Sequence, residues 1–143
     1  MDAQQPDPYR DRFYDFEREA RQIYEPTRPS RLGLNACARL VDAAFRLYRV
    51  TSYAPIRFSA GPGLTCGQCY AGPSEIIIRL PACRRRPWTA LHEAAHAMLP
   101  FDGHGPRFAS VVLDLWVTIG GWPQHGLHVL AAKHDVPLEV ELI

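Results

Sequence analysis

No run of apolar residues in this sequence approaches the ~20 needed to cross a bilayer, and the polar opening from Met1 to Asp11 has no signal-peptide core. A membrane-spanning or exported chain is therefore not expected, and the sequence reads as soluble and cytoplasmic. Net charge is scarce as well: the formal value is +1 at pH 7, which argues against a generally basic nucleic-acid binder. Cysteine is confined to Cys37, Cys66, Cys69 and Cys83. Without an export signal, a disulfide framework is not expected and reduced thiols are the default. The Cys66-x-x-Cys69 pair leaves three readings open: half of a structural zinc knuckle completed by Cys83 and Cys37, a redox pair, or buried unpaired thiols.

What the chain does contain fits one folded unit. A length of 143 residues can bury a real core, and 47% hydrophobic with 22% charged residues is ordinary for a globular protein. Residues 1–8 read as a loose N-terminal segment and residues 9–143 as a single domain.

The chemistry concentrates in Leu91-His92-Glu93-Ala94-Ala95-His96-Ala97-Met98, with His104 eight residues beyond His96. Residues four apart on a helix share a face, so the imidazoles of His92 and His96 can reach one ion. Glu93 lies beside them, where its carboxylate can take a proton from attacking water and pass it to a leaving group. A catalytic zinc usually has three protein ligands and one open position. Pro100 and Gly103 break the helix after Leu99, and the short loop that follows can carry His104 back to the ion. His125, His128 and His134 are rivals for that third place. His125 and His128, three apart, can also hold a metal of their own. A structural zinc with Glu93 as bystander, or no metal at all, stays open at this point. Asp102 and Asp114 are candidate acceptors for an imidazole N–H, since metal-bound histidines usually need such a partner.

Around this centre the pattern predicts helices and short strands. Phe13, Phe16, Ala20, Ile23 and Tyr24 recur at helical spacing over Tyr9–Glu25, with Asp7 as candidate cap; the helix packs across the domain or binds a partner. Pro26 to Pro29 reads as a linker. Ser30 is placed to cap a second helix running to about Tyr48, with Cys37 on its apolar face. Pro55–Ser59, Thr65–Tyr70 and Glu75–Leu80 read as three strands of an antiparallel meander, and the continuous Ile76-Ile77-Ile78 calls for cover on both faces. Arg84-Arg85-Arg86 reads as a solvated turn or a contact for an acidic partner, with Trp88 packing under the sheet. Pro106 to Ile119 forms an apolar-faced helix closed by Gly120-Gly121, Gln124–Asp135 a shorter one, and Val136–Ile143 an edge strand.

His92-Glu93-x-x-His96 followed by Gly103-His104-Gly105-Pro106-x-Phe108 resembles the SprT-like and Spartan-like zinc metallopeptidases. Gly67-Gln68-Cys69-Tyr70 and Glu75-Ile76-Ile77-Ile78-Arg79-Leu80 are similar to the strand pair that precedes the zinc helix there. The resemblance spans about residues 54 to 116. It implies a zincin-like α+β fold, Zn2+ on His92, His96 and His104, and Glu93 as general base. The family's C-terminal zinc ribbon has no counterpart here, since no cysteine lies beyond Cys83. The opening Asp7-Pro8-Tyr9-Arg10-Asp11 is similar to short metallohydrolases of actinobacteria and their phages, which implies the host cytoplasm if the gene is phage-borne.

The expectation is thus a zincin-like α+β domain, with a small antiparallel sheet packed against helices that include the His92–His96 helix. It holds one Zn2+ and hydrolyses a peptide bond of a protein or peptide substrate. The strand with Cys69 and Tyr70 is the candidate shelf for that substrate, and Tyr70 the candidate oxyanion donor. A regulatory peptidase acting on one repressor or antitoxin is an alternative. A non-catalytic zinc-stabilised binding module is another, with nucleic acid as a weakly supported partner through the arginine cluster.

Overall fold

The computed structural model describes residues 7–26 and 31–139. They form an α+β unit of five helices and one three-stranded sheet: α1 (Arg10–Tyr24), α2 (Leu34–Leu47), β1 (Ile56–Ser59), β2 (Gln68–Ala71), β3 (Ile76–Arg79), α3 (Pro87–Met98), α4 (Pro106–Thr118) and α5 (Gln124–Lys133). None of these helices is long and apolar enough to cross a membrane.

The sheet departs from the expected meander. Its order is β1-β3-β2, with β3 antiparallel to β2 but parallel to β1. The cause lies in β3 itself. Ile76, Ile77 and Ile78 are all buried, so this strand belongs in the centre, and the chain from β1 must pass to its far side before β2 begins. Gly61 and Gly63, at φ +60 and +78, make that passage in the left-handed region that β-carbons disfavour. β2 is left as an edge beside α3.

α3 is buried along most of its length, and α2, α4 and the sheet surround it. It starts at Pro87, where a missing N–H costs nothing. Trp88 does not simply underlie the sheet: it stacks on Trp122, 5.1 Å between centroids, while the Trp116 indole N–H donates to the Trp88 carbonyl at 3.2 Å. The three arginines before α3 are held by the chain itself. Arg84 donates to the Thr65 carbonyl at 3.0 Å, Arg85 to the Leu80 carbonyl at 3.0 Å, and Arg86 pairs with Glu25 at the end of α1.

Three expected features change or fall outside the described residues. α2 begins at Leu34 with Gly33 as its uncapped entry, and Ser30 and most of the Pro26–Pro29 linker are not described. Residues 136–139 form no strand. Val136 packs into the core and the Glu139 N–H donates to Ser110 Oγ at 2.7 Å, so this segment is secured by α4 rather than by a sheet edge; residues 140–143 lie outside. Asp7 accepts the Tyr9 N–H at 3.1 Å but gives its other oxygen to a distant partner.

Candidate metal centre

α3 sets His92 and His96 one turn apart with their Nε2 atoms 3.1 Å from each other. Two ligands of a tetrahedral zinc, at Zn–N of about 2.0–2.1 Å, stand about 3.3 Å apart. Met98 ends the helix, and the Gly103 turn at φ +56 brings His104 back to the same point. One ligand atom from each of the three histidines falls within 4.8 Å of the others.

The second nitrogens explain why the rings face this way. His104 Nδ1 lies 2.7 Å from Asp7 Oδ2, and the same oxygen accepts the His104 backbone N–H at 3.0 Å. With Nδ1 so engaged, His104 Nε2 is buried with no hydrogen-bond partner. His92 Nδ1 approaches Glu17 Oε2 to 3.1 Å without the alignment of a full hydrogen bond, so that contact is chiefly electrostatic. Buried polar nitrogens without partners are uncommon in native folds, and a divalent transition-metal ion is what a set of imidazoles suits.

Charge follows the same plan. Burial, then the neighbouring His92 and His104, holds His96 down at about 2, and burial likewise lowers His104 despite Asp7. Both are therefore neutral and able to ligate. Burial also opposes a charge on His92, but Glu17 outweighs it and raises that imidazole to about 9; the same pairing keeps Glu17 below the usual carboxyl range against its own burial. Glu93 is 4% exposed, and burial lifts it to about 7 even with His92 pulling the other way.

Aromatic rings enclose the cluster. Phe108 stacks on His96 at 4.2 Å between centroids, and Phe13 lies 5.6 Å from His92 and 5.4 Å from His104. Tyr14 stacks over His92 at 6.2 Å and stands 4.9 Å from His104. Beside this wall opens a cleft of about 560 Å³ between α1 and the β2–α3 side, with His92, Glu93, Thr89, Gly67 and Tyr14 in its lining. Gly67 sits so close that an added Cβ would stand 3.0 Å from Glu93 Oε2 and 3.1 Å from Thr89 Cγ2.

His92, Glu93, His96 and His104 are thus brought together. The other candidates are placed elsewhere. His125 and His128 are exposed on α5, and His134 meets Glu19 at 3.1 Å. Asp114 accepts from Tyr48 and Thr118, and Asp102 contributes its backbone carbonyl to Gly105; the carboxylates beside the imidazoles are instead Asp7, just before α1, and Glu17 on it. Tyr70 is 54% exposed and alternates away from Cys69, which faces inward; the phenol over the histidines is Tyr14. The cysteines do not gather among the described residues: Cys37 is buried in α2, Cys66 and Cys83 are exposed, and burial plus Glu93 pushes Cys69 to about 12.

Asp7 reads from the sequence only as a helix cap, and Tyr14 and Glu17 are not singled out by spacing. Glu17 left a trace, as a carboxylate inside the buried stripe of Phe13, Phe16 and Ala20. In comparisons with known proteins, no family model matches the chain, and no curated protein or solved structure matches it.

Proposed function

We propose that this chain is a zinc-dependent hydrolase, most directly a zincin-like metallopeptidase of the cytoplasm, with His92, His96 and His104 as ligands and Glu93 as general base. The observation that carries this reading is the position of Glu93: a buried carboxyl, raised to about 7, that lines an open cleft together with His92, one of three converging imidazoles. When bound there, zinc supplies Lewis acidity for polarising a carbonyl and activating water. The chain's own residues supply the rest. Glu93 takes the proton of the attacking water and returns it to the leaving amine, and a pKa near neutrality suits both transfers. Gly67 keeps the space in front of that carboxylate free of a side chain. The β2 edge, following directly from Gly67, offers backbone groups to an extended peptide. The likeness of residues 54 to 116 to SprT-like peptidases supports the same reaction class.

Purified protein should carry one zinc per chain by elemental mass spectrometry and cut casein or an unfolded-peptide mixture. Glu93→Gln should keep the zinc and lower turnover by about 10²–10⁴-fold. A variant that cleaves as well as wild type would remove the proposed base, and folded, chelator-free protein without zinc would remove the metal site.

A further inference from the structure

The segment from Asp7 to Tyr24 lies far before the His92–His104 stretch in sequence, yet it closes the histidine cluster. Asp7 reaches His104 across 97 positions and meets it twice, at the backbone N–H (3.0 Å) and at Nδ1 (2.7 Å). The loop is shaped to receive it. A Cβ on Gly103 would stand 2.9 Å from Asp7 Oδ2. Gly103, just before His104, therefore leaves room for the Asp7 carboxylate, beyond the turn that its φ of +56 demands. One helix further, Glu17 is buried on α1 with Oε2 at 3.1 Å from His92 Nδ1. No apolar gain explains a carboxylate in that position, since its neighbours Phe13, Phe16 and Ala20 are fully buried hydrophobic residues.

We infer that Asp7 and Glu17 are positioning residues of the metal centre: they hold the proton of His104 and His92 on Nδ1, so that both Nε2 atoms face the ion, and α1 is a working part of the site rather than a cover over it. Asp7 does this as a hydrogen-bond acceptor, which fixes the His104 ring in tautomer and angle and makes its other nitrogen a stronger donor; Glu17 does it through its charge, 3.1 Å from His92 Nδ1 but not aligned as an acceptor. The inference rests on the metal site of the proposed function and is independent of the reaction. Among the described residues His96 receives no such carboxylate; Phe108 stacks on its ring instead.

The test uses the full chain with Zn2+ and Co2+ alone. Affinity is read by competition with a chromophoric chelator, geometry by the visible bands of bound Co2+, and folding by far-UV circular dichroism. Asp7→Asn and Glu17→Gln should fold, still bind one ion, lose about 10–100-fold in affinity each, and shift the Co2+ bands. Glu19→Gln breaks the pairing of α1 with Lys133 and His134 without touching His92, His96 or His104, so it should leave affinity and bands unchanged. Affinity within twofold of wild type in both carboxamide variants overturns the inference. So does an equal loss in Glu19→Gln, which would trace the effect to helix docking. Wild-type protein that binds neither ion removes the metal site and this inference together. A loss confined to Asp7→Asn and Glu17→Gln in a protein that cleaves nothing leaves the inference standing and ends the peptidase reading.

Discussion

Gly67 is the residue on which the proposed chemistry depends most narrowly. Its Cα stands where any side chain would press on Glu93 and Thr89, at 3.0 and 3.1 Å for a bare Cβ. Both neighbours belong to α3, a buried helix that cannot withdraw as a unit, so the Glu93 carboxylate would have to turn aside by a few tenths of an ångström. Misplacement of a catalytic group by 1 Å can cost about 10²-fold, so a smaller shift should cost several-fold. Gly67→Ala is expected to keep full zinc content while its turnover falls about 3–10-fold; unaltered turnover would mean that Glu93 has freedom the packing does not suggest. The residues of the His92–His104 stretch were legible because their spacing is dictated by one helix and one turn. The contacts of Asp7, read only as a cap, and of Glu17 with those histidines were not, since such partners are fixed only once α1 docks. Tyr70 misled because in a strand the neighbouring position, Cys69, points the opposite way.

At the scale of elements, helices were read within a few residues while the sheet order was not. Helical periodicity is local, whereas the position of a strand depends on which neighbour covers it. The triple isoleucine of β3 did announce a strand covered on both sides, and its central place with β1 parallel follows from that burial. α2 and α4 are tied by a hydrogen bond that sequence spacing does not reveal: Tyr48 donates its hydroxyl to Asp114, and burial together with that carboxylate raises the phenol pKa. Removing the hydroxyl leaves a half-buried carboxylate short of a donor. Tyr48→Phe should destabilise the fold by about 1–2 kcal/mol, lowering the melting temperature by about 3–6 °C for a domain of this size. Thermal denaturation of the two proteins side by side checks this, and equal midpoints would show the contact to be energetically silent.

For the molecule as a whole, the histidine cluster joins α1, α3 and the loop before α4, so an ion there binds the folded chain and not the unfolded one. Such binding stabilises by about 2.7 kcal/mol when free ligand is at 100 times its dissociation constant. Zinc-loaded protein is therefore expected to melt about 8 °C above protein stripped with EDTA, with the gap restored on adding zinc back; coincident melting curves would contradict a site shared between these elements. The 97-position reach from Asp7 to His104 also sets a timetable. At about 5–20 residues per second, Asp7 is added to the chain roughly 5–20 s before its partner. A half-built chain has the first helix but nothing for it to complete, so the histidine cluster can assemble only when synthesis has passed its last member.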